Sequence, residues 1–178
     1  MEQVILVDEK DNEIGIMEKQ QAHLEGRLHR AVSVFVFNSK AQLLLQQRHH
    51  TKYHSGSLWT NTCCSHPHPK EAPLHAANRR LFEEMGIKCP LTEAYSFVYK
   101  AHLDHGMTEH EFDHVFIGIS NDTPVPNPEE VADWKYIDTD TLALEIKNTP
   151  EIFTEWFKIC INQWHSKLFP PAKKKSYQ

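Results

Sequence analysis

The sequence has no apolar run long enough to span a bilayer, and residues 1–9 lack the basic start and apolar stretch of a secretory signal. It has no internal repeats and no low-complexity blocks. Positive charge is not in excess either. The formal net charge is −5, which argues against nucleic acid or an anionic membrane surface as a partner but leaves room for a local basic pocket around one phosphorylated ligand. The one obvious basic run, Lys173-Lys174-Lys175 after Pro170-Pro171, reads as a solvated terminal tail. Cysteine is scarce. Cys63, Cys64, Cys89 and Cys160 fit neither a zinc ribbon nor a disulfide framework, and a bridge between the adjacent Cys63 and Cys64 would be strained. Free thiols, and hence a reducing cytoplasm, are the expectation.

What is present is an ordinary globular composition, 40% hydrophobic and 24% charged over 178 residues, enough for one domain with a real core. A single catalytic-sized domain is expected over residues 1–169, with 170–178 as a flexible tail. Residues 4–7 read as a strand and 8–15 as a turn. Residues 30–37 and the apolar run Leu43-Leu44-Leu45, separated by Asn38-Ser39-Lys40, read as a hairpin, and 58–63 as a shorter strand. Over 72–85, Leu74, Ala77, Leu81 and Met85 recur at helical spacing before Gly86, which predicts a helix and its stop. Strands are predicted over 95–102, 112–120 and 134–137. Prolines at 124, 126 and 128 force a loop over 121–130. A short helix is predicted over 139–145 and a longer one over 150–168, capped by Thr149 with Pro150 in its first turn. These elements indicate an α+β or mixed α/β sandwich.

Several residues can carry chemistry. In Glu109-His110-Glu111 the two-residue period of a strand points both carboxylates to one face, an arrangement suited to a hard or borderline cation. Alone, such a pair is most often a solvated strand edge. Thirteen histidines are many for this length, and most must be surface residues. His23 and His29 flank residues 24–28, and His66 follows Cys64 by two positions. Their separations match no local zinc motif, so the fold would have to assemble any metal site.

The helical segment adds a pattern. Glu71, followed by Arg79-Arg80-Leu81-Phe82-Glu83-Glu84-Met85-Gly86-Ile87, closely resembles the Nudix box, a loop–helix–loop that holds magnesium against a diphosphate. It departs from the box at Ser65, where glycine is usual, and at Arg80, where glutamate is expected. Arg80 and Glu84 lie one helical turn apart. A cation beside a magnesium-binding carboxylate suits gripping a diphosphate more than activating water to cleave it; the bland alternative is a surface ion pair.

Together with Arg27-Leu28-His29, Trp59-Thr60-Asn61, Cys64-Ser65-His66 and Glu109-His110-Glu111, the chain resembles the type 1 isopentenyl diphosphate isomerases, a branch of the Nudix superfamily, over about residues 4–168. The resemblance implies a Nudix-type α/β/α sandwich with a mixed sheet and C-terminal helices. It implies a metal site of His23, His29, His66, Glu109 and Glu111 holding manganese, zinc or magnesium, and a magnesium bound by Glu84 with the substrate diphosphate. Cys64 and Glu111 match the family's acid/base pair and Tyr99 an assisting tyrosine. Lys19, Arg48, Lys52 and Arg80 match diphosphate contacts, and Trp156 an aromatic wall over the reacting carbons. The implied reaction interconverts isopentenyl and dimethylallyl diphosphate by allylic proton transfer, in a monomer or weak homodimer. A Nudix hydrolase of a nucleoside diphosphate derivative and a non-catalytic metal- or phosphate-binding module are the competing readings. Taken singly, Cys64, Tyr99 and Trp156 also read as core residues and the cations as solvated surface.

Overall fold

The computed structural model describes residues 2–168; the tail expected at 170–178 lies outside them. The chain runs β1 (Gln3–Val7), β2 (Glu13–Glu18), α1 (Lys19–Glu25), β3 (His29–Phe37), β4 (Leu43–Arg48), β5 (Trp59–Thr60), β6 (Cys63–Ser65), α2 (Pro73–Met85), β7 (Leu91–His102), β8 (Thr108–Ile119), β9 (Val131–Ile137), α3 (Thr139–Asn148) and α4 (Glu155–Leu168). One mixed sheet results, with β3 as its axis. β8 pairs with β3 in parallel, from His29 opposite Glu111 to Phe37 opposite Ile119. The other edge of β3 is shared, by β1 at His29, by β6 at residues 32–34 and by β4 at Phe37. β7 and β8 form a long antiparallel hairpin, and β4 carries β5 and β9.

Strand parity divides the core in two. Val32, Val34, Val36, Leu44, Cys63 and Phe116 point to α2, where Ala76, Ala77, Leu81 and Met85 form its buried stripe. Phe35, Leu43, Leu45, Phe97 and Val115 point to the other side, against Leu142 and Ile146 of α3 and Trp156, Phe157 and Cys160 of α4. Helices therefore cover both faces, the expected α/β/α sandwich. Leu81 is fully buried and contributes about 1.5–3 kcal/mol through area removed from water. Leu74 belongs to no such stripe: it is 41% exposed, and Ala76 takes the buried position.

Five local expectations need correction. The turn over 8–15 is shorter, because Glu13 already pairs with Val7 and opens β2. α1 was hidden in the polar segment after it; Glu18 caps it by accepting from the Gln21 N–H, and Gly26 closes it in the left-handed conformation. The 30–37 and 43–45 strands meet only at Phe37 and Leu43 before diverging. The single strand expected over 58–63 is two, since Thr62 turns its hydroxyl to the Leu44 carbonyl and Asn61 its amide to the Val34 and Cys63 carbonyls. Finally, the helix over 150–168 is broken. Residues Pro150–Ile152 form one 3-10 turn, Phe153 bridges to Trp59, and the Thr154 N–H donates to the Trp59 carbonyl, so α4 begins only at Glu155. Thr149 makes no side-chain cap; its hydroxyl donates back to the Glu145 carbonyl.

Candidate active site

The β3–β8 register builds the site. His29 lies opposite Glu111, which lies opposite Tyr99 on β7, and Glu109 lies opposite Ala101. Since β8 starts at Thr108, both glutamates fall within the strand and share the α4-facing side. Cys64, opposite Ser33 on β6, points to that same side, whereas Cys63 points to α2. Cys64 and Glu111 thus flank β3 from its two edges and both line a cavity of about 650 Å³.

Three imidazoles and a carboxylate converge at one end. His23 Nδ1 is 2.7 Å from the Lys19 carbonyl and His29 Nδ1 is 2.7 Å from the Arg27 carbonyl. A carbonyl only accepts, so each Nδ1 carries the proton and each Nε2 presents a bare lone pair. His29 Nε2 lies 3.2 Å from His66 Nε2 and 3.5 Å from Glu111 Oε1, and His66 Nε2 lies 2.9 Å from the same oxygen. His23 Nε2 is buried without a hydrogen-bond partner. The ligating atoms of His23, His29, His66 and Glu111 lie within 4.8 Å of one another. Buried lone pairs aimed at one another and at a carboxylate fit a shared divalent cation. Glu109 groups with His23 and His54 within the same limit.

Burial sets the charge states. It lowers His23 and brings His66 down to about 3, so the ring nitrogens stay neutral. Burial also raises Glu109 well above the carboxylate range, helped by the charge of Glu111. Glu111 goes the other way: burial opposes its charge, but the imidazoles of His29 and His66 set against it outweigh that and hold it well below the usual range. The Tyr99 hydroxyl reaches Glu111 Oε2 at 2.6 Å and Glu109 Oε2 at 2.8 Å, tying the two together. Cys64 is pushed up to about 12, chiefly by burial, and is a thiol at neutral pH.

Cations line the cavity as well. Arg80 Nη2 meets Glu84 Oε1 at 2.6 Å, and Glu84 Oε2 accepts from Gln46 Nε2 at 2.8 Å. This i,i+4 pair forms part of the cavity wall rather than free surface. Lys52 pairs with Glu130, Lys19 pairs with Glu2 at 3.1 Å, and the Arg48 guanidinium stacks 5.2 Å from the buried Trp156 ring. Glu71 clamps Arg79 with two bonds of 2.8 Å and anchors the loop before α2.

Comparisons with known proteins decide the family. The Nudix domain matches residues 27–157. An isopentenyl-diphosphate Delta-isomerase of Pectobacterium atrosepticum is 53% identical over 157 residues, 88% of each chain. A second protein of that name, from Aromatoleum aromaticum, is 51% identical and covers 91% of this chain and 86% of its own. The chain belongs to the isopentenyl-diphosphate Delta-isomerase family. Among solved structures, a Deinococcus radiodurans protein superposes with a TM-score of 0.75 over 92% of this chain and 99% of its own, at 19% identity, and the MutT protein of Methanosarcina mazei with 0.64 over 79% and 94%, at 16%. At such identities these two show the Nudix fold alone.

The structure brings every residue singled out by the isomerase resemblance to one place. Lys19, Arg48, Lys52, Cys64, His66, Arg80, Glu84, Tyr99, Glu109, Glu111 and Trp156 line the cavity, and His23 and His29 are fully buried behind it. Sequence reasoning missed Gln46, which holds Glu84, Glu130, which meets Lys52 and Arg80, and His54. Only the period of β4, which sets Gln46 opposite Thr60 on β5, signals the first of these.

Proposed function

We propose that the protein interconverts isopentenyl and dimethylallyl diphosphate by adding a proton at one end of the allylic unit and removing one from the other, with Cys64 and Glu111 as the transferring pair. The observation that carries this reading is their placement on one face, from opposite edges of β3, in a cavity that is also lined by cations.

Arg48, Lys52, Arg80 and Lys19 are read as the diphosphate grip, which leaves the hydrocarbon over the sheet. One of Cys64 and Glu111 protonates the terminal methylene carbon; the other takes a proton from the carbon two bonds away. The order reverses with the direction of reaction. Between the steps the substrate is a tertiary carbocation, which water would trap, so the site must exclude solvent. The face of Trp156 offers that cation π density without a nucleophile. Tyr99 holds the carboxylates in register. Held by His23, His29, His66, Glu109 and Glu111, a manganese, zinc or magnesium ion would supply positive charge that tunes the basicity of Glu111, and a magnesium at Glu84 would neutralise diphosphate charge. We further read the chain as one catalytic domain over residues 1–169, acting in the cytoplasm as a monomer or weak homodimer without a nucleic-acid or membrane partner. No helix among the described residues is long and apolar enough to cross a membrane.

Hydrolysis of a nucleoside diphosphate derivative is disfavoured by Arg80, which occupies Glu84 where a hydrolase would need another metal-binding carboxylate. Incubation of purified protein with isopentenyl diphosphate tests the choice. Dimethylallyl diphosphate is the expected product; release of phosphate without isomer would overturn the proposal.

A further inference from the structure

His54 belongs to no part of the machinery assigned so far, yet it is 3% exposed. Its ring stacks on His23 with centroids 5.8 Å apart and meets Trp156 edge-on at 5.9 Å. The loop around it is forced into shape. Ser55 and Ser57 have φ of 51° and 66°, a region rare for serine, and a Cβ at Gly56 would sit 2.7 Å from the His50 carbonyl oxygen. Arg48 Nη2 fastens the loop at the His54 carbonyl, 3.2 Å away. His54 Nδ1 is 3.3 Å from the Ser55 hydroxyl. Its Nε2 lies 3.7 Å from Glu109 Oε1, beyond hydrogen-bond reach.

A buried imidazole that the loop holds against the cavity at such expense is placed to meet a ligand there. The ligating atoms of His54, Glu109 and His23 lie within 4.8 Å of one another, and the partnerless His23 Nε2 ties this group to the cluster of His29, His66 and Glu111. Around an octahedral ion with bonds of about 2.2 Å, neighbouring donors stand about 3.1 Å apart and opposite ones about 4.4 Å. Separations of 2.9, 3.2 and 3.5 Å in the first cluster and of 3.7 Å in the second fall in that range, and an ion held at His23, which the two share, would draw them together.

We infer that His54 is a sixth protein ligand, so that four imidazoles and two carboxylates enclose the ion and leave no position for water. This rests on the metal site of the proposed function. Its chemical consequence is that the ion is closed: it sets charge beside Glu111 but carries no water that could become a hydroxide next to a diphosphate or a carbocation. Four nitrogen donors also favour a borderline ion such as zinc or cobalt over magnesium.

The full chain loaded with one cobalt ion tests this by proton NMR. Each ligating histidine contributes one strongly shifted exchangeable N–H, so four are expected in the wild type and three in His54→Gln. With manganese, water-proton relaxation should show no bound water in the wild type and one in the variant, and His54→Gln should weaken metal affinity by at least about tenfold. Three shifted N–H signals in the wild type overturn the inference, whatever the variant's affinity and even if the variant fails to fold. A bound water in the wild type does the same. A wild-type chain that takes up no ion overturns the metal site itself.

Discussion

Cys63 and Cys64 are neighbours with opposite fates, and the strand period is the reason. Cys63 points at α2 and is fully buried in its core, whereas Cys64 lines the cavity, its thiol kept protonated by burial. A protonated thiol and an ionised carboxylate make a complementary donor and acceptor. Cys64→Ala and Glu111→Gln are each expected to lower kcat by about 10²–10⁴-fold while the inert diphosphate product analogue still binds, measured by steady-state kinetics beside calorimetric titration. Equal loss of binding would make them structural. Arg80→Ala should raise KM by about 10–100-fold, the worth of a charge-assisted contact to the diphosphate. Unchanged kinetics would return Arg80 to a simple partner of Glu84. At this scale the sequence was informative where local period governs: Glu109 and Glu111 alternate, and Arg80 and Glu84 are one turn apart. His54 was illegible, because its partners come from α1, β8 and α4, and nothing within its own loop names them.

Elements position these side chains through their ends. α2 stops at Gly86, whose φ of 67° suits glycine, and a Cβ there would lie 2.7 Å from the Val125 carbonyl oxygen. The stop fixes where the chain leaves the box and lets the Val125 N–H bond the Met85 carbonyl. Gly86→Ala is therefore expected to cost more than about 1 kcal/mol in thermal or denaturant unfolding, with weaker diphosphate binding as Glu84 shifts. An unaltered melting temperature would show that the loop yields freely. The glycine stop was readable beforehand. The break at Phe153 and Thr154 was not, since both residues satisfy a helical pattern and what interrupts the helix is β5, almost a hundred positions earlier: Thr154 donates to the Trp59 carbonyl and, by its hydroxyl, to Thr60 at 2.9 Å. α1 escaped for a related reason, being only about two turns built mostly of polar residues around the buried Ala22 and His23.

On the scale of the molecule, the sandwich exchanges stability for a buried polar site. His54 and His66 are brought down to about 2 and about 3, chiefly by burial, while both titrate near 6.5 in the unfolded chain. The unfolded chain then binds more protons between those values, so stability rises with pH across that window and is lost as pH falls below about 6.5. At pH 5 each histidine costs the metal-free protein about 2 kcal/mol relative to neutral pH. Glu109 and Asp113, both raised by burial, act in the opposite sense, so the histidine contribution is read as a difference: the denaturant midpoint of the metal-free wild type relative to His66→Gln should fall between pH 7 and pH 5, and a difference independent of pH would mean that the imidazole is already charged in the fold.

In the proposed reaction, protons from two protein groups move the double bond. Its most direct test is to convert isopentenyl diphosphate with the purified, metal-loaded protein in deuterium oxide and examine the product by NMR. Dimethylallyl diphosphate carrying deuterium in a methyl group, with conversion abolished by a chelator, is the predicted result. Isomer formed without deuterium, or free phosphate with no isomer, would contradict it.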